Sequence, residues 1–103
     1  MSYDIIVHPA ADEDLQQAAH WIAQYSPEKA TLWYFDALQA IESLRNFPAR
    51  CSFAPERKTF GLEIRHRIFD KYRILFLIED ETVYVLRVRH QSQQTLQPDE
   101  ATD

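Results

Sequence analysis

The 103-residue sequence is poor in cysteine and glycine and has no long apolar run. Cys51 is its one cysteine, so no disulfide can form within the chain and the thiol content gives no sign of secretion. The longest apolar stretch, residues 74–78, is far too short to cross a bilayer. The N-terminus has no basic run before an apolar one, unlike a signal peptide. We therefore expect a cytoplasmic protein without membrane contact.

Recognisable catalytic and cofactor patterns are also missing. The sequence has no metal-ligand spacing, no Gly-rich phosphate loop and no Ser/His/Asp order. Cys51 follows Pro48 in an expected loop without a nucleophile signature, which disfavours a catalytic Cys–His pair. We expect no cofactor and no metal. Hydrophobic residues make up 46% of the chain, which suits one domain with a modest core.

Charge is distributed unevenly, although the net charge is only −5. Residues 1–44 hold one lysine against seven carboxylates, residues 45–90 hold ten cations against six carboxylates, and residues 91–103 hold three carboxylates and no cation. The basic part favours one surface suited to acidic partners. The alternative interpretation is that its arginines are only solvated.

Two helices are predicted from apolar spacing. In two adjacent segments apolar residues recur at intervals of 4, 3, 4 and 3, which gives each helix one apolar stripe. Ser26, Pro27 and Glu28 lie between them and favour an immediate start of the second helix, through a cap, a first-turn proline and a first-turn acid. So short a connection predicts an antiparallel hairpin. The stripes are Ala11, Leu15, Ala18, Ile22 and Tyr25, and Ala30, Tyr34, Ala37, Ile41 and Leu44.

Apolar runs rich in β-branched and aromatic residues predict four strands around this hairpin. Only short turns separate the last three strands, so they form antiparallel hairpins. The predicted order is β-α-α-β-β-β, a two-layer α+β fold with a helical hairpin packed on a small, mostly antiparallel sheet. The strands are expected at residues 3–7, 62–69, 72–78 and 82–90, and a loop at residues 48–60. We expect one domain over residues 1–92 and a polar, acidic, flexible tail over residues 93–103.

Several short motifs, in this order, resemble the RelE/ParE superfamily of type II toxins, also called plasmid-stabilisation proteins. They are ADEDL (11–15), YSPE (25–28), IESLRNFP (41–48), GL (61–62), YRILF (72–76) and VLRVRH (85–90). The resemblance implies a protein that is toxic when free and is neutralised by an antitoxin encoded beside it. RelE-like members cut mRNA in the ribosomal A site, whereas ParE-like members poison DNA gyrase without chemistry of their own.

The resemblance also implies how a cutting member would work, with basic residues on the strands and a Tyr or His near the C-terminus. Here Arg73, with His66 or His90, would be the catalytic candidates. However, residues 91–94 read QSQQ where cutting members add basic residues, and no tyrosine follows Tyr84. His90 ending the last strand is similar to the ParE-like branch, although the arginine common soon after it is missing. Structural alternatives are a carboxylate or carbonyl bond for Arg73 and backbone bonds for the histidines.

We therefore favour a ParE-like toxin that acts by binding and is not an enzyme. One alternative is a RelE-like, ribosome-dependent mRNA endonuclease. Another is a non-toxic partner that helps to repress its own operon. The expected assembly is a hetero-oligomer with the antitoxin, which alone mediates contact with operator DNA, and the expected target is DNA gyrase or the ribosome.

Two residue sets are the candidate binding surfaces. Alternation places Arg87 and Arg89 on one exposed face of the last strand, opposite Tyr84, Leu86, Val88 and His90, which are expected to face the helices. The register of the preceding hairpin is open, so the face of each remaining arginine is open too. The candidates for target or partner binding are Arg65, Arg67, Arg73, Arg87, Arg89 and His90. Trp21, Trp33 and Phe35 lie outside the helical stripes and are the candidate antitoxin anchors.

Overall fold

The computed structural model describes residues 2–101, and its element order confirms the predicted two-layer α+β fold. The last two residues of the expected acidic tail lie outside this range. The strands are β1 (Asp4–Val7), β2 (Arg65–Phe69), β3 (Tyr72–Glu79) and β4 (Thr82–His90). The helices are α1 (Pro9–Ala23), α2 (Pro27–Glu42), α3 (Glu56–Phe60) and α4 (Pro98–Ala101), with 3₁₀ turns at Ser43–Arg45 and Pro48–Arg50.

Local capping sets the start of both long helices. The amide of Ala10 donates to His8 Nδ1 at 3.1 Å, and the amide of Lys29 donates to Ser26 Oγ at 3.2 Å. Pro9 and Pro27 take the first helical positions, where the missing N–H costs nothing. Most residues of the two helical stripes belong to the main core or pack against it, but Tyr25 lies beyond the end of α1 and is exposed.

The sheet has the order β1-β4-β3-β2, with β1 parallel to β4 and the other pairs antiparallel. Residues of the two helical stripes pack on one face of it. Members of this main core include Leu15, Ile41, Ile74, Phe76 and Val85. A mostly antiparallel sheet was predicted, and this topology confirms it.

A bulge in β4 breaks the strict alternation that was expected. The register between β3 and β4 shifts at Leu75 and Phe76, so that Phe76 pairs with Val85 but Leu75 pairs with Arg87. Leu86 is the extra residue, and it packs on the back of the sheet. The prediction that Tyr84 and Leu86 face the helices is therefore wrong, because the inserted residue reverses the faces of β4 before the bulge. Val83 and Val85 pack on the main core, and Tyr84, paired with Leu77, points to the back.

A second, smaller core covers the back of the sheet. Its buried members are Ala54, Ile64, Leu75 and Leu96. Helix α3 belongs to a segment that was predicted to be only a loop, and Leu96 belongs to the tail that was expected to be flexible. The burial of Leu96 ties that tail to the sheet. No helix in the described range is long and apolar enough to span a membrane.

Candidate partner-binding site

The β2–β3 hairpin divides the predicted basic residues between the two faces of the sheet. Phe69 pairs with Tyr72, so Asp70 and Lys71 form the whole turn and the open register is resolved. Asp70 takes the left-handed conformation at φ 52°, which such a tight turn requires. Arg65, Arg67 and His90 lie on the side that faces the helices, and His66, Arg73, Arg87 and Arg89 belong to the back.

A buried ion pair neutralises Arg73. Its Nη1 donates to Glu56 Oε1 at 3.0 Å and its Nη2 donates to Oε2 at 2.8 Å. The amide of Leu96 also donates to Oε2, at 3.0 Å. Glu56 is fully buried and Arg73 nearly so. This bidentate geometry matches the structural alternative for Arg73, a carboxylate bond inside the fold.

The pair shifts two neighbouring pKa values. Burial by itself raises the pKa of Glu56, but hydrogen bonds from Arg73 and from backbone amides, with the charge of Arg73, outweigh it and lower the pKa from 4.5 to about 2. Burial lowers the pKa of His66, and the positive charge of Arg73, 3.2 Å from Nδ1, lowers it further against the opposing charge of Glu56. At pH 7 Glu56 is therefore ionised and His66 neutral.

The expected exposure of Arg87 and Arg89 is wrong. Arg87 donates from Nε and Nη2 to the Asp14 carboxylate, at 2.7 and 3.0 Å, and from Nη1 to the Glu100 carbonyl at 2.7 Å. Arg89 is only 4% exposed; it donates to the Gln94 carbonyl at 2.7 Å and lies 3.4 Å from Glu100 Oε2. The reason is that Asp14 on α1 pairs with Arg87, while the C-terminal segment covers Arg89 and supplies the Glu100 carboxylate beside it.

His90 faces the side opposite His66. Its ring meets Tyr72 edge-on, with ring centroids 5.0 Å apart, and the Ser92 amide donates to its Nδ1 at 3.0 Å. Burial, and then the charge of Asp70, raise the pKa of Tyr72, so this phenol is neutral at pH 7. Arg73 and His66 thus lie together, but His90 is separated from them by the sheet.

The three candidate anchors lie in two different environments. Trp33 is 8% exposed and packs on Phe69 and Tyr72, with centroid distances of 5.8 and 5.0 Å. Its prediction as a surface anchor is wrong, since the side chain is part of the main core. Trp21 is 57% exposed and Phe35 is 61% exposed, so both are accessible on the hairpin.

An apolar groove follows the outer side of the helical hairpin. Its volume is about 500 Å³, and Ala19, Ala23, Ala30, Tyr34 and Phe35 are among its lining residues. Sequence reasoning missed three further exposed apolar residues of the hairpin, Tyr25, Leu32 and Leu38. The contiguous apolar surface of the groove is the kind that marks protein interaction sites more often than isolated exposed residues do.

A different set of arginines is left without carboxylates. In the described part of the chain, Arg50, Arg65 and Arg67 form no ion pair. Their hydrogen bonds reach backbone carbonyls and the Ser43 hydroxyl. Arg65 and Arg67 were predicted candidates, whereas Arg50 was missed because nothing in the sequence shows that Pro48–Arg50 folds back beside β2. No cluster of metal-ligating side chains occurs among the residues described.

Known structures share this fold. One is a chromosomal ParDE toxin–antitoxin system from P. aeruginosa, with 16% identity, a TM-score of 0.69 and coverage of 86% of this chain and 96% of that one. Another is the RelBE2 toxin–antitoxin complex from Mycobacterium tuberculosis, with 22% identity, a TM-score of 0.56 and coverage of 87% and 99%. At such identities the likeness supports the fold alone.

Sequence comparison identifies the family. No curated protein matches the chain. The family model for the ParE toxin of the type II toxin–antitoxin system parDE matches residues 5–95, which is most of the sequence. The resemblance to the RelE/ParE superfamily, with the ParE-like branch favoured, is thereby confirmed. The chain belongs to the ParE family of toxins from type II toxin–antitoxin systems.

Proposed function

We propose that this toxin acts by binding its target and does not cut RNA. The observation that carries the proposal is the buried pair of Arg73 and Glu56, which leaves no free guanidinium at that position. RNA cleavage requires a base for the 2′-hydroxyl, positive charge at the phosphate and an acid for the leaving oxygen, all at one place. His66 lies beside Arg73 but His90 lies across the sheet, so the three candidates do not form such a set.

The proposed target is DNA gyrase, on the strength of the ParE-like family. A binding toxin needs an accessible surface and no reactive group. Two accessible surfaces are present. One is formed by the carboxylate-free arginines beside β2, and the other by the exposed side chains of the hairpin.

We propose that a cognate antitoxin neutralises the toxin by covering the helical hairpin. Trp21, Tyr25, Leu32 and Phe35 present apolar surface there, and the groove between α1 and α2 suits the apolar face of an amphipathic segment. Antitoxin segments that are disordered until bound would fold on this surface. The resulting hetero-oligomer would reach operator DNA only through its antitoxin.

Expression in bacteria, alone and with the small gene encoded beside it, tests the proposal. We expect growth to stop when the protein is produced alone and to recover when both are produced. The Trp21→Ala and Phe35→Ala variants are expected to remain toxic while being rescued less well. Leu62→Ala, which removes an exposed apolar side chain outside the hairpin, is the matched control. Normal growth at a high level of the folded protein alone would contradict toxicity and favour the non-toxic repressor partner.

A further inference from the structure

Within residues 2–101, the arginines beside β2 have no internal counter-charge, a property that they share with Arg57 of α3 but not with the other four arginines. Arg45, Arg73, Arg87 and Arg89 each pair with a carboxylate. Among the described residues, none of Arg50, Arg65 and Arg67 does so. The bonds that hold these three guanidinium groups are to neutral oxygens, which fix their positions without cancelling their charge.

Two of these groups converge on one hydroxyl. Arg67 Nε donates to Ser43 Oγ at 3.0 Å, and Arg50 Nη2 lies 3.4 Å from the same atom. Ser43 Oγ donates in turn to the Ala40 carbonyl at 2.6 Å, at the end of α2. The two positive groups are thus held close together by the fold itself. Such preorganisation lowers the ordering cost of binding an anion.

The third arginine extends the same positive surface. Arg65 Nη1 donates to the Cys51 carbonyl at 2.6 Å, and its guanidinium stacks on the ring of Phe53 at 4.1 Å. Arg57 stacks on the same ring at 4.2 Å. A cleft of about 370 Å³ opens beside these groups and is lined by Arg50, Cys51, Ser52, His66, Arg67 and Ile68.

The cleft lies where the outer edge of β2 becomes open. Phe53 forms an antiparallel bridge with Arg65, and the His66 amide donates to the Ser52 carbonyl at 3.0 Å. Before Ser52 the chain turns away into Pro48–Arg50. Outward-pointing backbone groups alternate along an antiparallel strand, so Ile68, two residues after His66, also points its backbone outward. Its carbonyl accepts a hydrogen bond from Arg67 Nη1 at 2.9 Å, so the Ile68 amide is the group that offers pairing to an added segment. No described strand pairs with β2 at this position, and the Ile68 side chain is 50% exposed.

We propose that this place, formed by Arg50, Arg67 and Ile68 and called the β2-edge site, binds a short extended segment of the antitoxin through its carboxylates. The proposal rests on the toxin–antitoxin pairing proposed above. A segment laid along the edge accepts a hydrogen bond from the Ile68 amide, and its carboxylates accept hydrogen bonds from Arg50 and Arg67. Adjacent residues of the segment point to opposite faces. The segment therefore alternates acidic and apolar residues, with the apolar one on Ile68.

Charge favours a protein segment over nucleic acid as the ligand. The whole chain carries −5, which repels a long polyanion, and only a few cations here are uncompensated. Nucleic-acid affinity depends on many phosphate contacts. Two fixed guanidinium groups instead match one or two carboxylates on a short peptide.

The test compares the Arg50→Gln/Arg67→Gln double variant with Arg45→Gln, a control that alters an exposed ion pair at the same end of α2. Affinity for the purified antitoxin encoded beside the gene is measured by calorimetry at low and moderate salt. We expect the double variant to bind about 10- to 100-fold more weakly with less salt dependence, and the control to bind like wild type. Arg67→Glu is expected to bind more weakly still, and replacing the contacted antitoxin carboxylate by lysine should restore its affinity.

The possible outcomes distinguish failure of the β2-edge site from failure of the proposed toxin–antitoxin pairing. If the antitoxin binds and neutralises wild type but the double variant binds equally well, the β2-edge site is overturned while the pairing stands. If the antitoxin binds no variant, wild type included, both proposals are overturned. Loss of duplex DNA binding in the double variant, with antitoxin affinity kept, would show a nucleic-acid surface and also overturn the site. Far-ultraviolet circular dichroism and thermal melting verify that each variant is folded.

Discussion

The carboxylate of Glu56 and the guanidinium of Arg73 form a bidentate ion pair behind the sheet, with Leu96 donating a third hydrogen bond to the same carboxylate. The pair joins α3, β3 and the C-terminal segment, three elements that are distant in sequence. It occupies the guanidinium of Arg73, the arginine that the sequence marked as a catalytic candidate. The same contact therefore supports the back of the fold and argues against RNA chemistry there.

Glu56→Gln tests the structural role of this pair. The substitution leaves Arg73 buried without its counter-charge, which is expected to cost about 3–5 kcal/mol in the free energy of unfolding. Urea unfolding followed by tryptophan fluorescence measures the change. Glu42→Gln is the control, since its ion pair with Arg45 lies at the surface and is expected to contribute at most about 1 kcal/mol. Similar stabilities for the two variants would contradict a structural role for the pair.

Acid should weaken the fold in a defined pH range. The pKa of Glu56 is lowered to about 2 in the fold from 4.5, so its contribution is complete above pH 4.5 and is lost as the pH falls towards 2. That difference in pKa corresponds to about 3 kcal/mol in the free energy of unfolding. His66 acts in the same direction, because its lowered pKa means that the unfolded chain takes up a proton first as the pH falls below 6.5. Urea titrations across this range should show the loss, and the Glu56→Gln variant should lack its lower part.

Leu96→Ala tests whether the C-terminal segment belongs to the fold. Leu96 packs with Ala54, Ile64 and Leu75, so truncation is expected to cost about 2–4 kcal/mol by leaving a cavity. Leu62→Ala, at a half-exposed site, is expected to cost less than about 1 kcal/mol. Thermal and urea unfolding supply both values. A tail that makes no stable contact would leave the Leu96→Ala variant as stable as wild type.

Substitutions at the two tryptophans should have different effects, one on the stability of the fold and the other on antitoxin binding. Trp33→Ala is expected to destabilise the protein by about 3–5 kcal/mol, because the ring fills the main core against Tyr72. Trp21→Ala is expected to leave the free energy of unfolding within about 1 kcal/mol of wild type but to weaken antitoxin binding by about 2 kcal/mol. Calorimetry and urea unfolding of the two variants provide the comparison. The account would be wrong about the hairpin surface if Trp21→Ala bound the antitoxin normally.

Features that depend on residues close together in the sequence, such as helix starts and tight turns, were predicted correctly. Ser26 and Pro27 specify the start of α2, and the short turn at Asp70 forces a hairpin, so the element order followed from local chemistry. The assignment of side chains to faces of β4 failed at Tyr84 and Leu86, because a bulge is set by packing between strands and has no clear local signal.

The candidate site was harder to predict because its contacts are long-range. Arg73 meets Glu56 across 17 positions, and Arg87 meets Asp14 across 73. Such long-range pairings decide which arginines have their charge balanced by a carboxylate and which do not. Counting charges along the sequence cannot reveal these pairings. The carboxylate-free set therefore includes Arg50, which no motif marked, and excludes Arg73, Arg87 and Arg89, which the motifs did mark.

The most direct test applies the purified toxin to two reactions side by side, DNA cleavage by gyrase and primer extension on translated mRNA. The account predicts that gyrase–DNA cleavage complexes accumulate and that transcripts stay intact, with a His66→Gln variant behaving like wild type. Codon-linked cuts in the mRNA that disappear in His66→Gln, together with unaffected gyrase, would contradict it.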